Sequence, residues 1–165
     1  MILNCKIKNI NIYGAGVGGI MGATSLNSNN VRSRIVGCTV EGALDSQGQP
    51  QYKIKGRLVT GGIVGHYTDN ATDFNPMYND EEYTVCADEC LVQNYKIEQT
   101  TNVDYVGAGG IAGSVQADKF TVANVKVEGC TILCNGANNN IGAGGIIGFS
   151  YKGKALLGYN IAVAD

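Results

Sequence analysis

Gly61-Gly62-Ile63-Val64-Gly65 decides how this chain is read, because it recurs. The same five-residue pattern returns as Gly18-Gly19-Ile20-Met21-Gly22, as Gly109-Gly110-Ile111-Ala112-Gly113 and as Gly144-Gly145-Ile146-Ile147-Gly148. Three copies follow a Gly-Ala or Gly-Val pair: Gly16-Val17, Gly107-Ala108 and Gly142-Ala143. Self-similarity of this kind is the mark of a repeat architecture. Each copy holds one large apolar residue between glycines. That reads as a short strand flanked by corners that need either positive φ or close backbone approach.

A second element alternates with the first. It reads Ile/Val, two residues, Cys, one residue, Ile/Val, as in Ile2…Cys5-Lys6-Ile7, Ile35…Cys38-Thr39-Val40 and Val127…Cys130-Thr131-Ile132. A weaker copy is Ala87…Cys90-Leu91-Val92. After the cysteine, Ile7, Ile10 and Ile12 of one copy match Val92, Tyr95 and Ile97 of another. The local period is two, which is the period of half-buried strands; helical spacing is absent. The cysteines of these copies lie at 5, 38, 90 and 130. Such uneven steps exclude fixed propeller blades and fit a stack with loops inserted at corners. Two insertions stand out: a turn-rich one at 43–52, around Gly48 and Pro50, and an Asn/Asp-rich acidic one at 69–82.

Composition agrees. Gly makes up 24 of the 165 residues, with two prolines and no tryptophan. Each interior helical Gly costs about 1 kcal/mol against Ala, so this is not a helical bundle. Apolar residues make up 44%, which excludes disorder, and charged residues only 16%. The expected fold class is therefore all-β: a parallel β-helix (β-solenoid), right-handed as parallel crossovers are, with loop insertions at corners. Residues 1–165 would form one domain of about four imperfect repeats. The formal net charge is −2 and no basic stripe runs along the chain, so nucleic-acid binding has no support. No run approaches the roughly 20 apolar residues that span a bilayer.

Six cysteines are present: Cys5, Cys38, Cys86, Cys90, Cys130 and Cys134. In-register stacking at about 4.8 Å would put Cys5, Cys38, Cys90 and Cys130 in one interior column. The Cys-x3-Cys pairs Cys86–Cys90 and Cys130–Cys134 span about 13 Å along a strand, beyond disulfide reach. Buried free thiols are the preferred reading over bridges between coils. Zinc is disfavoured, because His66 is the one histidine.

The tail Asn160-Ile161-Ala162-Val163-Ala164-Asp165 matches Asn124-Val125-Lys126-Val127-Glu128-Gly129. Ile2 falls on the position of Val127 in the same alignment, so both ends lie inside the repeat at nearly one phase. No cap is evident at either end. The expectation is a segment of a longer array with flanking repeats; head-to-tail self-association is the alternative. The N-terminus carries no export signal pattern.

Gly61-Gly62-Ile63-Val64-Gly65-His66-Tyr67 and its partners resemble the GLUG motif, a Gly-rich repeat of bacterial surface proteins. Asn4-Cys5 and Gly37-Cys38 resemble the Asn-Cys step between such motifs. The likeness covers nearly the whole chain, with Ile where the typical motif has Leu. It implies a β-solenoid stalk or adhesin-like module of a secreted or cell-wall-linked bacterial protein.

Candidate chemistry is sparse. Gly14-x-Gly16-x-x-Gly19 imitates a dinucleotide fingerprint, but no helix follows to aim amides at phosphate. The carboxylates Glu41, Asp104, Asp118 and Glu128 lie near strands, where a polysaccharide-cleaving pair would sit. No spacing singles a pair out, and solvated surface charge is the simpler account. Asp69, Asn70, Asp73, Asp80, Glu81 and Glu82 offer hard oxygen ligands that suit a binding loop or Ca²⁺, without the spacing of an EF-hand. No other cofactor is implied. The sequence thus points to a non-enzymatic structural or adhesive module, extracellular or on the cell surface, whose loops meet host protein, glycan or a neighbouring protein. A self-assembling phage or appendage fibre component and a carbohydrate-active β-helix enzyme are the alternatives.

Overall fold

The computed structural model describes residues 1–23, 34–69, 85–102, 106–117, 119–135, 141–150, 155–159 and 161–164. Among them every regular element is a β-strand. The first repeat gives β1 (Ile2–Leu3), β2 (Lys6–Lys8), β3 (Ile12–Gly18) and β4 (Met21–Ala23). The second gives β5 (Ile35–Val36), β6 (Thr39–Glu41), β7 (Tyr52–Gly61) and β8 (Val64–Asp69). The third gives β9 (Val85–Asp88), β10 (Leu91–Gln93), β11 (Tyr95–Gln99), β12 (Val106–Gly109) and β13 (Ala112–Ala117). The fourth gives β14 (Lys119–Ala123), β15 (Lys126–Glu128), β16 (Thr131–Cys134), β17 (Ile141–Gly144) and β18 (Ile147–Ser150). β19 (Ala155–Tyr159) and β20 (Ala162–Ala164) follow.

Equivalent strands of successive repeats pair in parallel. The first sheet runs β1-β5-β9-β14-β19 and the second β2-β6-β10-β15-β20. The third runs β16-β11-β7-β12-β17 with β3 also on β7, and the fourth β18-β13-β8-β4. The third sheet nearly closes on itself. Long β7 pairs with both β11 and β12, which belong to one repeat, and β16 and β17 lie outside them. The fold is therefore all-β with parallel strands. Its one antiparallel bridge among the described residues, Leu44 with Pro50, belongs to the 43–51 insertion.

Register fixes the repeat. Ile7, Val40, Val92, Val127 and Val163 stand in one line across the second sheet. Steps along that line are 33, 52, 35 and 36 residues, so only the second repeat is long. It is the one that carries both insertions. The cysteine steps gave a less even picture because Cys130 is out of phase. Two residues before the line lie Cys5, Cys38 and Cys90, then Val125 and Ile161. Cys130 instead stands opposite Tyr95, which stands opposite Tyr52. The expected column of four cysteines is thus three cysteines continued by Val125. The resemblance of Val127…Cys130-Thr131-Ile132 to Ile35…Cys38-Thr39-Val40 is a coincidence of strand periodicity, displaced by five residues. The starting phase is corrected likewise: Ile2 stands opposite Ile35, in line with Ala87 and Val122, not with Val127. The tail match holds, since Val127 pairs with Val163.

Single left-handed residues turn the chain on each side of the three-residue strands. Asn4, Gly37, Glu89 and Asn124 have φ of 52°, 64°, 50° and 50° just before that column, and Asn9, Asn94 and Gly129 have 55°, 57° and 57° just after the strands. Asn is the non-glycine residue that tolerates this region best. The Asn94 amide also donates to Gly42 O at 3.2 Å, in the repeat before it.

The glycine pattern answers to close approach, not to φ. In the third repeat, a Cβ on Gly109 would strike Ala112 O, and one on Gly110 would strike Gly145 O and lie 2.8 Å from Val127 Cγ1. A Cβ on Gly113 would lie 2.5 Å from Thr60 N. Gly18, Gly61 and Gly144 meet the carbonyl three residues on in the same way. Gly19, Gly62 and Gly145 lie against the valine line at Val40, Val92 and Val163. Gly22, Gly65 and Gly148 press on backbone. Between them Ile63 and Ile111 are fully buried, with Ile20 and Ile146 packed at the ends of the same line. Backbone bonds join these isoleucines, Ile111 N to Ile146 O at 2.9 Å among them.

Candidate functional site

Alternation sorts the side chains of the second sheet. The valine line points inward, and its neighbours point out: Lys6 and Lys8, Thr39 and Glu41, Leu91 and Gln93, Lys126 and Glu128. In the third sheet Ile12, Ile54, Ile97 and Ile132 point inward. Outside them run two lines. One is Lys53, Lys96 and Thr131, with Asn11 preceding it; the other is Tyr13, Lys55, Glu98 and Leu133. The two outer faces meet at the Asn9, Asn94 and Gly129 corner. They bring together six lysines (6, 8, 53, 55, 96 and 126) and three glutamates (41, 98 and 128). That surplus of three positive charges sits in a chain of net charge −2, so the remainder carries −5.

The glutamates bind lysines between and along strands. Glu41 reaches Lys6 Nζ at 2.8 Å and Lys8 Nζ at 3.0 Å. Those two contacts hold its carboxyl below the usual range. Glu98 lies 3.8 Å from both Lys55 and Lys96, and Glu128 2.7 Å from Lys126. Lys53 Nζ stands 5.9 Å from the Tyr13 ring centre. Sequence inspection for basic runs missed this surface, because register assembles it from four repeats. A signal was present: Lys6-Ile7-Lys8, Lys53-Ile54-Lys55, Lys96-Ile97-Glu98 and Lys126-Val127-Glu128 share one alternation.

The 43–51 insertion leaves from this same corner, between β6 and β7. Asp45 organises it: its Oδ1 accepts from Gln47 N and Gln49 N, both at 2.8 Å, and Gly48 takes φ of 77°. Gln51 N closes the base on Ala43 O at 3.0 Å. The third repeat compensates for the detour. Tyr95 reaches past the second repeat, donates to Ile10 O at 3.0 Å and accepts from Ile10 N at 3.2 Å. This explains a buried tyrosine where the first repeat has Ile10.

The other candidates sort as follows. Asp69 ends β8 opposite Ala117; the rest of the oxygen-ligand group (Asn70, Asp73, Asp80, Glu81 and Glu82) lies outside the described residues, as do Asp104 and Asp118. Glu41 and Glu128 share a face, but Gln93 stands between them. With its carboxyl held low, Glu41 is poorly suited to act as a general acid. His66 Nδ1 lies 3.3 Å from Ser114 Oγ, a partner not evident from sequence proximity. Ser114 is 3% exposed, so that oxygen is enclosed by the sheet. Gly14 and Gly16 sit in β3, and a strand follows Gly19, so the dinucleotide pattern is structural.

The described thiols, of Cys5, Cys38, Cys90, Cys130 and Cys134, are free. Cys90 donates to Asp88 O at 3.2 Å, and burial pushes its thiol up to about 11. Burial raises Cys38, Cys130 and Cys134 as well. Such thiols stay protonated at neutral pH and serve as packing groups. Cys86 falls at the register shift between β9 and β14, the added residue between Val85 and Ala87. No family model, curated protein or solved structure matches the chain.

Proposed function

We propose that the four sheets are the walls of a right-handed parallel β-solenoid, and that it serves as a non-enzymatic structural and adhesive module. The parent would be a bacterial cell-surface or secreted protein with GLUG-like repeats. The observation that carries this reading is the register: equivalent residues of successive repeats stand in line, so each repeat buries its apolar side on the next. A wall of this kind holds its outer side chains at fixed spacing and carries insertions at its corners. The 43–51 hairpin, beside the lysine-rich faces, is the contact element that the geometry favours. Protein or glycan is the partner class, as expected for an exposed charged surface.

The test is retention of the purified protein on panels of extracellular-matrix proteins and glycans, alongside a variant with 43–51 replaced by a two-glycine turn. Retention by the intact protein, reduced in the variant, is expected. No retention on either panel, or release of reducing sugar from a polysaccharide, would contradict the reading.

A self-assembling fibre component has one observation in its favour. The outermost repeats leave apolar residues uncovered: Val163 is 56% exposed although Val40, Val92 and Val127 in its line are buried, and Ile10 is 51% exposed. Light scattering separates the two readings: growth with concentration supports assembly, and a monodisperse monomer at high concentration removes it.

A further inference from the structure

Resting on the adhesive reading, we propose that the outer faces of the second and third sheets bind a linear acidic polysaccharide of the polyuronate class. Lys53 and Lys96 stand opposite each other on adjacent parallel strands. Like charges directly opposed across strands destabilise a sheet. Glu98, 3.8 Å from both Lys96 and Lys55, offsets part of that repulsion, and a polyanion laid along the stack would offset the rest.

Spacing and chemistry choose the ligand. Lys53 and Lys96 stand about 4.8 Å apart across adjacent strands, and Lys6 and Lys8, like Lys53 and Lys55, about 7 Å apart along one strand, while β6 and β10 separate Lys6 from Lys126. The two short spacings are on the scale of one sugar ring, and a polyuronate carries one carboxylate per ring. The glutamates argue against a nucleic acid. Duplex DNA presents a charge every ~1.7 Å, and Glu41, Glu98 and Glu128 would face that density with their own negative charge. A sugar ring instead brings hydroxyl donors for those same carboxylates. Tyr13, 59% exposed in the line of Lys55 and Glu98, offers an aromatic face on which a ring can lie.

The probe is polygalacturonate oligosaccharide, titrated by calorimetry at low and moderate salt. Its fully methyl-esterified form, single-stranded oligothymidylate and phosphatidylserine vesicles serve as comparisons. Binding of the acid form is expected, weakening with salt and absent with the ester. The double variant Lys53→Gln/Lys96→Gln should bind about tenfold more weakly, and Tyr13→Ala about threefold more weakly. These positions lie on the outer faces, and circular dichroism checks that the variants keep the wild-type fold. The proposal is overturned if the acid form does not bind, if the ester binds equally, if the lysine variant binds as wild type does, or if oligothymidylate or vesicles bind more tightly. Adhesion and this ligand can fail separately. Retention on neutral glycans or proteins with no response to polygalacturonate leaves adhesion standing and removes the polyuronate.

Discussion

Two regions of each repeat are stabilised in different ways. Around the valine line, the core is made of side chains: Val40, Val92 and Val127 are buried, with Cys38, Cys90 and Val125 beside them and Ile54 and Ile97 beyond. At the Gly-Gly-Ile-x-Gly corner, backbone lies on backbone, and in the second and third copies no Cβ fits at any of the three glycines. The first region is a volume to fill, and several apolar residues can fill it, as the exchange of cysteine for Val125 shows. The second is a contact that only one residue type permits. The glycine motif is therefore uniform in all four copies, while the cysteine element drifts.

Gly62 tests the difference at its sharpest. A Cβ there would strike Gly110 O and lie 2.7 Å from Val92 Cγ1. Gly62→Ala should cost more than about 4 kcal/mol or abolish folding, read by urea denaturation or loss of the β signal in circular dichroism. Val92→Ala removes two methyl groups from the other region and should cost about 2 kcal/mol, through lost burial and a small cavity. If the account is right, Val92→Ala does not rescue Gly62→Ala, because the carbonyl of Gly110 still blocks the Cβ. Rescue would mean that the corner, too, is governed by side-chain volume.

The smallest expected effect is electrostatic and lies outside both regions. Lys6 and Lys8 hold the Glu41 carboxyl below its usual range. A carboxyl lowered in the folded state stabilises it above the unfolded pKa, and the contribution is lost as pH falls through the folded value. Thermal midpoints of wild type and Glu41→Gln should thus differ slightly at neutral pH and converge in acid. A gap that widens in acid would contradict that pairing.

Much of the fold was legible in the sequence because it depends on local periodicity. Gly-Gly-Ile-x-Gly marked a contact that admits no substitute, and alternation marked strands such as Lys6–Lys8. The parallel pairing and the 43–51 insertion followed from repeat lengths. The cysteine column was misread at Cys130 because the same spacing of apolar residues recurs five residues later, across the Gly129 corner. Only the partner strand breaks that tie, through the pairing of Val92 with Val127. Asn4, Asn9, Asn94 and Asn124 were a usable signal of left-handed corners, seen only as an Asn-Cys step. The lysine surface was hidden for a different reason. Its members are scattered from Lys6 to Lys126, and only stacking makes them neighbours.

The central claim is that repeats stack in parallel on the valine line, with Cys130 outside the cysteine column. Nuclear Overhauser contacts in methyl-labelled, Cys-labelled protein test it most directly. The account predicts contacts between the methyls of Val92 and Val127, and between Cys90 Hβ and the Val125 methyls. Contacts between Cys90 Hβ and Cys130 Hβ, with none from Cys90 to Val125, would contradict it.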